Sequence, residues 1–225
     1  MLVCISDLSF SKDITVAILG AMPSSWEEQD FGQTSLHLTR AAEKRGEEVI
    51  IAAPFKMNFI NGRNPDLTYH NLEKEKHVKG LMEKIRQMTS PGDNVNLLIY
   101  GHGSPTRFES KYNSTSIQLG DERIKTDRMV KIINKALPKS ISIKTIAPYC
   151  FSGSIHLLSH SRNNSCSVAA SDYRTPSQGE SSCFFGSCEA VRSYGMDIAQ
   201  LIYNNPQISL ADAHELVSEK DFLNK

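Results

Sequence analysis

Ile141 to Ser154 read ISIKTIAPYCFSGS, and the fold is decided by how this stretch is read. An apolar, β-branched run (Ile143, Thr145, Ile146, Ala147) stops at Pro148-Tyr149-Cys150. The small residues Ser152, Gly153 and Ser154 follow, and then the apolar helical start Ile155, Leu157, Leu158. This order predicts a buried parallel strand, a tight turn and a helix. In an open α/β sheet the ligand crevice lies outside the carboxyl ends of the strands. Cys150, read as the last residue of its strand, therefore belongs at that rim with its sulfur facing the cleft. A second strand ends in the same way: Asn94 to Tyr100 (NVNLLIY) runs into Gly101-His102-Gly103-Ser104. One strand end carries a thiol and another an imidazole between glycines. That is the combination a cysteine nucleophile needs.

The flanking sequence supplies the rest of an alternating chain. Upstream, Ile14 to Leu19 (ITVAIL) predicts a buried strand, Glu27 to Arg45 a helix stopped by Gly46, and Val49 to Ala53 the next strand. Lys56 to Asn71 reads as a polar loop, and Leu72 to Met88 as an amphipathic helix with Val78, Leu81, Met82, Ile85 and Met88 on one face. After His102, Ser116 to Leu119, Gly120-Asp121 and Arg123 to Lys125 predict a small hairpin, and Asp127 to Leu137 a short helix before Pro138. Downstream, Cys166 to Ala170 is a fifth strand, Ser171 to Ser182 a polar loop on the same rim, and Phe184-Phe185 a short sixth strand. Helices over Cys188 to Tyr203 and Leu210 to Leu223 close the chain. Strands alternating with helices argue a three-layer αβα domain over residues 1–225, with a mostly parallel central sheet of about six strands.

Composition excludes several functions. The chain has 225 residues, enough for one sizeable α/β core. Lys+Arg 25 balances Asp+Glu 25, so no global field points to nucleic acid or an anionic membrane. No apolar run reaches the ~20 residues of a membrane span. The N-terminal MLVCISDLSFSKDITVAIL lacks a basic head and is interrupted by Asp7, Lys12 and Asp13, which points to the cytoplasm, with secretion as an effector also compatible. The five cysteines (Cys4, Cys150, Cys166, Cys183, Cys188) are odd in number and irregularly spaced, unlike a disulfide framework, and no pair has zinc spacing. The four besides Cys150 are expected to be ordinary small hydrophobes, Cys183 and Cys188 in or near a helix start. No metal or cofactor is expected. No Gly-x-Ser-x-Gly elbow and no Gly-x-Gly-x-x-Gly phosphate loop is present, which disfavours a serine hydrolase or a nucleotide enzyme.

Taken alone, a loop histidine most often packs or makes a surface hydrogen bond, and a strand-end cysteine is most often structural. The contexts favour chemistry for the pair. Gly101 and Gly103 let the backbone turn sharply and leave the imidazole uncrowded. An imidazole titrates near neutrality and suits general acid/base work. The Ser-Gly-Ser turn favours exposure of the thiol in a cleft.

The motif-bearing residues are Leu97-Leu98-Ile99-Tyr100-Gly101-His102-Gly103-Ser104 and Ile146-Ala147-Pro148-Tyr149-Cys150-Phe151-Ser152-Gly153-Ser154. A hydrophobic strand ending in His-Gly, then a later one ending in Cys followed by Ser-Gly, resembles the clan of cysteine peptidases that contains caspases, legumains, metacaspases, gingipains and separases. The Cys-x-Ser-Gly-Ser piece is most similar to the legumain pattern, and strand order and spacing resemble the clan from about Ile14 to Phe185. The resemblance implies a caspase-like fold and a cysteine endopeptidase. It implies Cys150 as nucleophile, His102 as general acid/base, and an oxyanion hole of the Gly103 and Cys150 N–H groups. It implies no metal, and a protein or peptide substrate, with a regulatory partner or self-processing as further expectations.

In the same clan, the pocket for the residue before the scissile bond draws on two loops. Here they supply Glu27 and Glu28 after the first strand, and Ser171 and Asp172 after the strand that follows the Cys strand. Acidic Asp172 with Glu27 or Glu28 favours a polar or basic side chain by charge pairing. The plainer readings are a solvated helix start for the glutamates and a turn-forming aspartate. Pro148 and Tyr149 stand where legumains and metacaspases carry acidic residues. That departure keeps open an alternative: a catalytically inactive caspase-like module that binds a protein partner through the 171–182 loop.

Overall fold

The computed structural model describes residues 11–20, 36–54, 68–105, 115–170, 183–184, 187–188 and 194–223. In chain order the elements are β1 (Asp13–Gly20), α1 (36–44), β2 (Glu48–Ala53), β3 (Thr68–Asn71), α2 (Glu75–Met88) and β4 (Asn94–Gly101). Next come β5 (Gly103–Pro105), β6 (Thr115–Leu119), β7 (Glu122–Lys125), α3 (Thr126–Ala136) and β8 (Ser142–Ala147). A 3₁₀ turn (Ser152–Ile155), α4 (His156–His160), β9 (Ser165–Ala169), β10 (Cys183–Phe184), β11 (Ser187–Cys188), α5 (Tyr194–Asn204) and α6 (Leu210–Leu223) complete it.

Six strands form the central sheet in the order β3-β2-β1-β4-β8-β9, and every neighbouring pair is parallel. The inner strands β1, β2 and β4 are largely apolar because both of their faces are covered, as parallel sheets require. Successive residues of β4 go to opposite cores. Val95, Leu97 and Ile99 join the cluster that contains Val78, Leu81, Met82 and Ile85 of α2 and Met129, Val130 and Ile133 of α3. Leu98 and Tyr100 join the cluster with Leu38, Ala41 and Ala42 of α1, Ile198 and Ile202 of α5, and Val217 of α6. Helices on both faces of one parallel sheet make the three-layer αβα arrangement expected from the sequence. Strand order reverses between β1 and β4, and such a switch point is where open α/β sheets leave a crevice at the carboxyl ends.

A three-stranded antiparallel sheet, β5-β6-β7, grows from the carboxyl end of β4. Its β6-β7 turn is the expected Gly-Asp turn, with Gly120 at φ 56°, a conformation that favours glycine.

Several expectations are corrected. The sixth central strand is β3 at the edge beside β2, not Phe184-Phe185. Its sequence, Thr-Tyr-His-Asn, carries no apolar run, so it is read from composition as part of a polar loop. Phe184 instead belongs to the β10-β11 hairpin, in which Cys183 faces Cys188 and Phe184 faces Ser187. Cys188 thus lies in a strand, and the helix after it is described over Tyr194–Asn204. Helix α2 starts at Glu75, because Leu72 is spent on the sheet: its N–H donates to Ala53 O at 2.8 Å. The helix expected over Glu27 to Arg45 is described only at 36–44. Among the described residues no helix is long and apolar enough to cross a membrane.

Candidate active site

His102 is the single residue between the central sheet and the small antiparallel one. β4 ends at Gly101 and β5 begins at Gly103. Both sides are therefore fixed by strand pairing. Gly101 pairs with Gly20 of β1, Gly103 pairs with Ile117 of β6, and the Gln118 N–H donates to His102 O at 2.9 Å. The histidine is held as part of two sheets rather than on a free loop, and it is half-buried.

Cys150 lies three residues beyond its strand, not at the strand's last position. Pairing of β8 stops at Ala147, which faces Ala169 of β9, and Pro148 has no N–H to continue the ladder. Tyr149 then turns into the core and is 1% exposed. Burial pushes its phenol up to about 12, with a smaller opposing pull from the Thr126 hydroxyl. Cys150 is a half-buried thiol outside any disulfide, at the top of this turn. Phe151 follows in the left-handed region at φ 59°, the one non-glycine residue with positive φ among those described. Such strain is of the order of 1–3 kcal/mol and gathers at functional turns. The next residue holds the turn down. Ser152 is fully buried, and its hydroxyl accepts from the Ala170 N–H at 3.1 Å, while the same N–H also reaches Ala147 O at 3.2 Å.

The two strand ends meet through backbone. A Cβ placed on Gly103 would overlap the carbonyl oxygen of Cys150 and lie 2.8 Å from both the Cys150 carbonyl carbon and Tyr149 Cδ2. Only a residue without a side chain permits that approach. The Gly-His-Gly segment and the Tyr-Cys-Phe turn are thus packed against each other at the carboxyl edge of β4 and β8, neighbours in the sheet. This brings together the backbones of three sequence-predicted site residues, His102, Gly103 and Cys150. The other four, Glu27, Glu28, Ser171 and Asp172, lie outside the described residues.

Two parts of this edge were not singled out from the sequence. One is the Ser152 tie to β9, for which the Ser-Gly-Ser composition gave only a turn signal. The other is a polar cluster on the small sheet, where Arg123 Nη1 donates to Ser104 Oγ at 2.6 Å and the Ser104 and Ser116 hydroxyls are 3.1 Å apart. Period-two alternation across β6 and β7 could have found it. Cys166 is also corrected: it is exposed, because β9 is an edge strand. It lines a groove of about 450 Å³ with Asp13, Thr15, Asn96 and Lys144, at the opposite end of the sheet from Cys150. Among the described residues no three His, Cys, Asp or Glu side chains converge as a metal site would require.

No family model matches the chain, and no curated protein matches it. Two solved structures are similar in part. One is a secreted C11 cysteine protease from Bacteroides thetaiotaomicron in complex with an irreversible peptide inhibitor. It is 9% identical with a TM-score of 0.43, over 94% of this chain and 60% of that one. The other is protein GSU0716 from Geobacter sulfurreducens, 16% identical with a TM-score of 0.42, over 69% of this chain and 57% of that one. The chain thus spans well under two thirds of the length of each.

Proposed function

We propose that the protein is a cysteine peptidase of the caspase and legumain type, in which Cys150 is the nucleophile and His102 the general acid/base. The supporting observation is the backbone contact of Gly103 with Cys150, which joins an imidazole-bearing and a thiol-bearing strand end at one rim. The Cys150 thiolate attacks the scissile carbonyl carbon and a C–S bond forms. The C–N bond breaks as the His102 imidazolium gives its proton to the leaving amine. Water then attacks the thioester, His102 takes its proton, and the C–S bond breaks to restore the thiolate. The negative oxygen of each tetrahedral intermediate accepts from the N–H groups of Gly103 and Cys150.

The reading extends to specificity. Glu27, Glu28, Ser171 and Asp172 form the pocket for the residue before the scissile bond, with a polar or basic side chain as occupant. An odd number of cysteines, with Cys150 and Cys166 outside any disulfide, supports a reducing compartment such as the cytoplasm.

Digestion of a peptide library by the wild type and by Cys150→Ala tests the activity. Cleavage by the wild type alone, with basic or polar residues enriched before the cut, is expected. Equal digestion by both proteins overturns the reading.

A further inference from the structure

The small sheet that continues from His102 presents a cationic face. Ile117 and Ile124 are paired across β6 and β7 and buried in the core, 0% and 4% exposed. By the period of two, their neighbours Ser116, Gln118, Arg123 and Lys125 lie on the opposite face. Register aligns Gln118 with Arg123, and Ser116 with both Lys125 and Ser104. Arg123 and Lys125 are exposed, and no carboxylate among the described residues pairs with either. Glu122 has the parity of Ile124 and belongs to the other face; Asp121 is in the turn. The guanidinium is not loose. One of its five N–H donors is fixed on Ser104 Oγ at 2.6 Å, and that hydroxyl is backed by Ser116, which is 4% exposed. The remaining donors form a positioned fork suited to a carboxylate.

The distance to the chemistry is short. Gly103 touches the Cys150 carbonyl, Ser104 follows Gly103, and Arg123 holds Ser104. Along that path the guanidinium is at most about 12 Å from Cys150, the reach of three or four extended residues.

We propose that Arg123, supported by Lys125, is a specificity-determining site that binds an acidic side chain of the substrate within about three residues of the scissile bond. It rests on the peptidase reading above. Ser104 and Ser116 act as positioning residues, holding the guanidinium toward the bound chain. Because the pair is exposed, its contribution is modest and salt-sensitive.

The test uses the best-cleaved library sequence, C-terminally amidated so that no terminal carboxylate competes. Peptides carry Glu or Gln at one position at a time, from the third residue before the cut to the third after it, and the position with the largest ratio is followed. The wild type is expected to favour Glu over Gln in kcat/KM by about fivefold at low salt, and the preference is expected to collapse near 1 M salt. Arg123→Glu is expected to lower the Glu-to-Gln ratio about tenfold, and Lys125→Glu by less. Thermal melts check that both variants fold. A Glu-to-Gln ratio that is unity in the wild type, or unmoved in a folded Arg123→Glu, overturns the proposal while peptide cleavage itself stands. A wild type that cuts no more than Cys150→Ala overturns the peptidase reading and this proposal with it.

Discussion

At the scale of single residues, the candidate site depends on a missing side chain. Gly103 admits the Cys150 carbonyl where any Cβ would collide with it, and the obstacles are backbone and an aromatic ring packed against it. Gly103→Ala is therefore expected to lose activity and about 3 kcal/mol of stability, read from urea unfolding. Gly101→Ala is the milder control, since its Cβ would sit 3.1 Å from Gly20 Cα. An alanine at 103 that leaves both rate and unfolding midpoint intact would mean the two turns are not packed as described. His102→Ala is expected to lower kcat at least ~100-fold, the loss of a general acid/base; near-normal turnover would refute its role. Tyr149 carries a different signature. Its folded pKa is raised to about 12 from 10.0, so its stabilisation is whole below pH 10 and is lost as pH rises through the folded value. Tyr149→Phe should flatten the alkaline limb of a thermal-stability profile; an unchanged limb assigns that limb to other groups. That Gly-His-Gly and Cys-x-Ser-Gly follow neighbouring strands at one rim was legible because sequence order fixes strand ends. The glycine–carbonyl contact was not, since close approach is a property of two segments and neither alone encodes it.

At the scale of elements, the turn after Cys150 is only as firm as the helices behind it. Arg162, just after α4, is 3% exposed and reaches under the end of α3. It donates to Leu137 O at 3.0 Å and to Ile141 O at 2.7 Å, and it also bonds Pro138 O. Burial lowers its pKa, though a guanidinium stays charged in any ordinary buffer. The Ile141 N–H also donates to Pro138 O at 3.1 Å, and Arg162 adds side-chain donors to three carbonyls of the α3-to-β8 corner. Arg162→Met is expected to cost about 3 kcal/mol with the urea slope unchanged, because charged hydrogen bonds are lost and buried carbonyls are orphaned. Arg162→Lys should recover little, lacking the planar fork. A loss under half a kilocalorie in Arg162→Met would show the corner to be held otherwise. Sequence gave no hint of this residue: a lone arginine in a turn reads as surface. The same blindness explains β3. A four-residue polar edge strand has neither alternation nor an apolar run, whereas β1, β2 and β4, buried on both faces over most of their length, announced themselves.

At the scale of the whole molecule, the αβα layering was legible because two-sided burial writes long apolar strands into the chain. The number of strands was also right, yet one strand was misplaced, since Phe184's hydrophobicity outweighed the Thr-Tyr pair of β3. Acid stability follows from groups spread over the fold. His156 has its pKa lowered by burial and then by His160 and His214, and His37 by burial and then by Arg40. Below the ordinary histidine value of 6.5 the unfolded chain binds more protons than the folded one, so stability falls with falling pH. Glu75, held low first by Lys79 and then by Arg128, adds a further loss below 4.5. The melting temperature should therefore drop on acidification through 6.5, and His156→Gln should make that drop shallower. A melting temperature that rises over this range would contradict the assignment.

The central claim is that Cys150 is a nucleophile and not merely a cysteine. Accessibility and reactivity make opposite forecasts here, because Cys166 is exposed while Cys150 is only half-exposed. The decisive measurement is the rate of iodoacetamide alkylation at each thiol of the folded protein, resolved by peptide mass mapping. Labelling of Cys150 ahead of Cys166, slowed at Cys150 alone by His102→Ala, is the predicted result. Labelling that simply follows exposure, Cys166 first and with no response at Cys150 to the loss of His102, would contradict it.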